Sequence, residues 1–170
     1  MSHKTRADEI RADFLGALRA QGMRVDTLKE VADEVSDQVL RELFRRLGQA
    51  GREIYLVRGV GLVNIHIRSE APGWWNILKS VKADFDALAK AIGARAFYVL
   101  LVGRKDPKDA HVANGWVATD FLSSPFLKSP SEEATKYTVK EGLHLDERKL
   151  ILSVTKVAQK LLQTGAALQK

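Results

Sequence analysis

Asn64, His66 and Arg68 occupy alternate positions in the run Val63–Arg68, with Val63, Ile65 and Ile67 between them. Strand side chains alternate between faces. An amide, an imidazole and a guanidinium would therefore share one face while three aliphatic groups pack on the other. A solvated face usually carries Lys, Glu and Thr in no pattern. Three hydrogen-bonding groups in a row, with Trp74-Trp75 just downstream, read instead as a lined groove; the plain alternative is the outer face of an ordinary hairpin. Trp74 and Trp75 could stack on bases, and Arg68, Lys79 and Lys82 lie close enough in sequence to hold phosphates. The competing role for the tryptophans is packing, with one in the core between hairpin and helix and only the other exposed.

The elements that must position these groups follow from periodicity. Glu53–Arg68 reads as two strands joined by a tight turn at Gly59-Val60-Gly61, which is not a phosphate loop because no GK[ST] follows. Ala71-Pro72-Gly73 predicts a turn and Trp74–Ile77 a brief third strand. Thr5–Gln21 predicts a helix with Ile10, Phe14, Ala17 and Leu18 on one face and Gly22 ending it. Thr27-Leu28-Lys29-Glu30 has the form of a capping box, and an apolar stripe runs from Leu28 to Leu47. That stretch also resembles a weak helix-turn-helix with the hairpin as a wing. The apolar period crosses Ser36 without resetting, and Asp37 stands where such a turn wants an apolar residue, so a single helix is expected.

Further on, Ser80–Ile92 predicts a helix with Val81, Phe85, Leu88, Ala89 and Ile92 buried and Gly93 ending it. Ala96–Val102 is a nearly unbroken apolar run, expected as a strand buried on both faces. Residues 103–114 read as a polar loop, 115–121 as a strand and 122–142 as an irregular connection. Residues 146–162 read as the last helix, with a fraying tail. The expected fold class is α/β, a mixed β-sheet flanked by helices, in one domain. Its parts are an N-terminal helical portion (1–50), a sheet core (51–122), an irregular connection (123–145) and a C-terminal helix (146–170).

Composition narrows the classes. The 170 residues carry a net charge of +6, which favours a polyanionic partner, nucleic acid first. There is no Cys, so disulfides and thiolate metal sites are excluded, and the four His lack zinc-ligand spacing. No apolar run approaches the ~20 residues that span a bilayer, and the N-terminus lacks a signal-peptide apolar segment. A cytoplasmic protein with no membrane partner is expected. His111 and His144 stand alone and take no role. The Arg45-Arg46 and Arg52 cluster reads as complement to a helix dipole, and Arg104–Asp109 as a solvated turn.

Over about residues 27–121 this order and texture resemble the restriction-endonuclease-like, or PD-(D/E)xK, superfamily. That fold carries a helix, a three-stranded antiparallel meander, a helix and a central strand. Glu53 stands at the early acidic position and Ile65–Ser69 at the late strand. The resemblance implies DNA as partner, leaves room for a homodimer, and implies a Mg²⁺ site with Glu53 as its only carboxylate ligand. The motif departs from the family: His66 replaces the second carboxylate and Arg68 the Lys. His suits Mg²⁺ poorly, and Arg can stabilise a phosphate but not act as a base. A second carboxylate would have to come from Glu70, Asp84, Asp106 or Asp120. The implied site is degenerate: Glu53, His66 and Arg68 are its catalytic candidates, with His66 as base and Mg²⁺ required only for cleavage. Binding is assigned to Asn64, Arg68, Trp74, Trp75, Lys79 and Lys82. A winged-helix regulator or a non-catalytic assembly subunit are the alternatives.

Overall fold

The computed structural model describes residues 5–49, 53–105, 111–118, 135–142, 145 and 147–168. Arg52, Asp106, Asp120, His144, the tip of the charged loop and most of the expected irregular connection lie outside them. Helix α1 (Arg6–Ala20) begins at a reciprocal cap, Thr5 Oγ1 accepting from the Asp8 amide and Asp8 from the Thr5 amide, both at 3.1 Å. Strand β1 (Val25–Thr27) and helix α2 (Leu28–Ala32) follow, with Thr27 capping through Glu30 N–H. Next come helix α3 (Gln38–Leu47), strands β2 (Ile54–Val57), β3 (Gly61–Arg68) and β4 (Trp74–Leu78), and helix α4 (Lys79–Ile92). Strands β5 (Ala96–Lys105), β6 (His111–Ala118) and β7 (Lys136–Lys140) precede a 3₁₀ turn at Glu147–Lys149 and helix α5 (Val154–Leu168).

Five strands form a mixed sheet in the order β1-β2-β3-β5-β6, parallel only between β3 and β5. Helices cover both faces, as expected for this class. Odd-numbered residues of β5 (Phe97, Val99, Leu101) pack with Val63 and Ile65 beneath α1 and α5. Even-numbered ones (Tyr98, Leu100, Val102) pack with Leu62 beneath α2, α3 and α4. All six are at most 2% exposed, so β5 is the doubly buried strand its apolar run predicts. A separate antiparallel ribbon, β4 with β7, closes the second face; Trp75, Ile77 and Val139 point inward from it. The Trp75 indole meets Trp116 edge-on at 6.0 Å and donates to the Leu101 carbonyl at 3.1 Å.

Several expectations are corrected. The chain between Thr27 and Gly48 is two helices, not one: Asp37 caps α3 by accepting from Leu40 N–H at 2.8 Å, and Arg41 Nε secures the turn by donating to the Val35 carbonyl at 2.7 Å. A polar N-cap outweighed the uninterrupted apolar period. The β2–β3 hairpin is nevertheless no wing, because β3 is paired on both edges inside the sheet. The segment 1–50 also contains a strand, and the expected irregular connection contains β7. Residues expected in a loop at 103–114 instead extend β5 to Lys105 and start β6 at His111. The last helix starts at Val154 rather than 146 and continues to Leu168, with Ser153 Oγ accepting from Lys156 N–H at 3.1 Å.

Candidate nucleic-acid interface

Parity along the strands decides which sequence candidates meet. Ile54 stands opposite Asn64 in the β2–β3 ladder, and Ile65 N–H donates to the Glu53 carbonyl at 2.7 Å. Glu53 therefore shares the face of Ile65, and its carboxylate is held by Arg11 of α1, Nε lying 2.5 Å from Oε1 and 2.7 Å from Oε2. This ion pair also raises the Arg11 pKa. Asn64, His66 and Arg68 fall on the opposite face, with Tyr98, Leu100 and Val102. Strand parity sends Glu53 and His66 to opposite faces, yet both border one cleft of about 240 Å³, and the Glu53 carboxylate is engaged by Arg11 of α1.

The donor set does not fit Mg²⁺. Among the described residues no three His, Asp or Glu side chains gather where they could hold a metal ion. Asp84, one alternative carboxylate, pairs with Arg46 at 3.2 Å, and Glu70 is exposed beside Ser69, Arg6 and Arg104 in a groove of about 660 Å³. Glu53 is neutralised by Arg11.

Asn64 is not an exposed groove residue: it is 2% exposed, because the parallel partner β5 and the β4–α4 layer bury this face as well. Its side-chain nitrogen has no hydrogen-bond partner, nor has His66 Nε2. His66 keeps partial exposure as a residue while Nε2 is closed off. Burial disfavours the imidazolium and lowers the His66 pKa to about 4, so the ring is neutral at pH 7 and carries one donor and one acceptor. Asn64 and His66 line a cleft of about 240 Å³ with Glu53, Ile54, Ile65, Ile67, Asn76, Leu78 and Val81. Arg68 ends β3 in an exposed position.

The tryptophans divide. Trp75 is a core residue, 3% exposed, and is removed from the binding candidates. Trp74 is 49% exposed, on the outer face of the ribbon. Opposite it stands Lys140, whose Nζ lies 5.3 Å from the ring centroid. The same face carries Asn76 against Thr138, whose hydroxyl donates to Asn76 Oδ1 at 3.0 Å, and Leu78 against Lys136. Lys79 lies 5.9 Å above the Tyr137 ring. Lys82 is committed to Asp86 at 2.5 Å, which also accepts from the Tyr98 hydroxyl at 2.7 Å. That chain locks α4 to β5, so Lys82 serves the fold and not a phosphate.

Lys136, Thr138 and Lys140 were not singled out by the sequence reading. Their signal was present: KYTVK alternates polar residues with Tyr137 and Val139, a five-residue strand pattern embedded between turn-forming residues. The ribbon holds its place through Glu141, which accepts from the Gly73 amide at 2.6 Å and pairs with Arg104 of β5. Among the described residues no helix is long and apolar enough to cross a membrane. Compared with known proteins, the chain matches no family model and no curated protein.

Proposed function

We propose that this protein binds nucleic acid through the outer face of the β4–β7 ribbon and does not cleave it. The observation that carries this reading is the exposed Trp74 set beside Lys140 on a face that also presents Lys136, Asn76 and Thr138. An aromatic plane among cations and hydrogen-bonding groups suits a strand of bases and phosphates: every base has a face to stack, and every phosphate a charge to neutralise. The net charge of +6 adds long-range attraction.

With the α2–α3 pair between β1 and β2 and the ribbon strand β4 set aside, the order α1, antiparallel β1-β2-β3, α4 and β5 supports a restriction-endonuclease-like ancestry, since that fold places a helix, a three-stranded meander, a helix and a central strand in this order. The commitment of the Glu53 carboxylate to Arg11, with no second carboxylate gathered beside it among the described residues, argues against hydrolysis. DNA is the first partner to test, with RNA beside it.

Fluorescence anisotropy with labelled duplex DNA, single-stranded DNA and RNA over a salt series tests the reading. Trp74→Ala is expected to weaken binding about tenfold, the scale of one lost stacking contact. Lys140→Ala is expected to weaken it more evenly across sequences and to lower the salt slope by about one. Binding unchanged by both substitutions would remove the ribbon from the interface. Plasmid nicking that requires Mg²⁺ or Mn²⁺ would overturn the non-cleaving part.

A further inference from the structure

The outer face of the ribbon repeats one arrangement at its two ends. Trp74 stands across the ladder from Lys140 and Leu78 from Lys136, so each end sets a large apolar side chain beside a lysine. Trp74 is 49% exposed and Leu78 44%, and they are two of the four large apolar side chains exposed among the described residues. Four residues apart on one strand, they lie ~13 Å from each other. Between them the Thr138 hydroxyl donates to Asn76 Oδ1 at 3.0 Å, which orients the amide and leaves its N–H groups to donate elsewhere.

The surroundings select the chemistry. None of the six outward positions is a carboxylate. Glu141, next to Lys140, is taken by the Gly73 amide and Arg104. Glu53, in the cleft that Asn76 and Leu78 also border, is held by Arg11. The face is cationic and apolar at once, and it suits an anion that carries apolar surfaces of its own. A duplex hides its base faces in the stack and offers phosphates, sugars and base edges, against which Trp74 and Leu78 gain little. An unpaired strand offers base faces and phosphates together.

We infer that the ribbon is a track for an unpaired strand: bases cover Trp74 and Leu78, phosphates meet Lys140 and Lys136, and Asn76 meets a base edge or sugar between them. The inference rests on the proposed nucleic-acid binding and names its substrate class, single-stranded DNA or RNA in preference to duplex. It also gives Leu78 a part in binding. Leu78 holds the N-cap position of α4 with no side-chain hydrogen bond, so its side chain can be exchanged without loss of a cap. An aliphatic platform lacks the stacking of an aromatic one, and an aromatic ring at this position adds a second stacking contact.

The test uses the full chain with an oligothymidylate, an oligouridylate and a duplex of equal length, and with vesicles of phosphatidylcholine and phosphatidylserine. Wild type is expected to bind a single strand about tenfold more tightly than the duplex, the tighter of the two strands naming the sugar. The single strand should quench tryptophan emission, and Trp74→Phe should remove the quench, because Trp75 and Trp116 are buried. Leu78→Tyr is expected to raise single-strand affinity about tenfold and to leave duplex affinity unchanged. Duplex bound as tightly as either strand would overturn this inference and leave the proposed function standing. Leu78→Tyr without any gain for the single strand would overturn the two-platform track. Binding to none of the nucleic acids would overturn both readings, and binding to the vesicles alone would reassign the face to an anionic lipid surface.

Discussion

The two faces of β3 are built from alternate residues of one eight-residue strand, yet they solve different problems. Beneath α1 and α5, Val63 and Ile65 meet Phe97, Val99 and Leu101, aliphatic and aromatic groups with nothing left to satisfy. Beneath the β4–α4 layer, Leu62 joins the core while Asn64 and His66, the next residues on that face, each bury a side-chain nitrogen that has no partner. Burial alone does not separate the two: Asn64 is 2% exposed and Ile65 1%. What separates them is that one face gains packing energy throughout while the other loses some of it to unsatisfied buried groups.

The comparison can be broken most forcefully on the closed face. Phe97→Ala should destabilise the fold by ~3–5 kcal/mol, read as a fall in the urea midpoint, because it opens a cavity that its neighbours cannot fill. A small loss would mean that the α1–α5 face is loosely packed and the contrast is false.

Acid should act on the opposite face. The folded pKa of His66, about 4, lies below its ordinary 6.5, so between those values the unfolded chain binds more protons. The stabilisation from neutral His66 is intact above about pH 6.5 and lost progressively down to about pH 4, a range of ~3 kcal/mol. Urea titrations at pH 7, 5 and 4 should show this slope, and His66→Leu should remove its share. An unchanged slope in His66→Leu would place the titrating group elsewhere.

Smaller still, Asn64→Leu should leave stability unchanged or raise it by ~1 kcal/mol, since it replaces an unsatisfied amide with a side chain of similar size. Loss of stability would show that Asn64 is structural. Trp74→Ala should alter stability by no more than ~0.5 kcal/mol while weakening nucleic-acid binding, which separates the recognising surface from the supporting one.

The legible parts of the fold were those where a local pattern and the tertiary result coincide. Ala96–Val102 announced a doubly buried strand by being apolar throughout, and α4 by its stripe from Val81 to Ala89 with Gly93 closing it in the left-handed conformation. The illegible parts depend on distant partners. Nothing near Asn64 says that β5, some thirty residues later, will pair in parallel beside β3, placing it in the middle of a sheet whose two faces are both covered. The apolar period through Val35, Val39 and Leu43 argued for one helix, yet Val39 is 83% exposed; the Asp37 cap was the better signal. For the candidate site, the residue types were read correctly as hydrogen-bonding groups. Glu53 and His66 do border one cleft, but the Glu53 carboxylate is taken by Arg11 of α1, a partner 42 residues away that no local pattern announces.

The alternation within β4 has a consequence for how this protein can change. Trp75 and Ile77 anchor the ribbon, and Gly73 is tied to them because a Cβ there would run into the Trp75 ring. Trp74, Asn76 and Leu78, with Lys136, Thr138 and Lys140 across the ladder, bear none of that duty. Six outward positions can therefore drift, or be randomised in a library, over a scaffold that does not register the change. On the proposed reading, target preference and foldability are inherited through separate residues of the same ten-residue ladder.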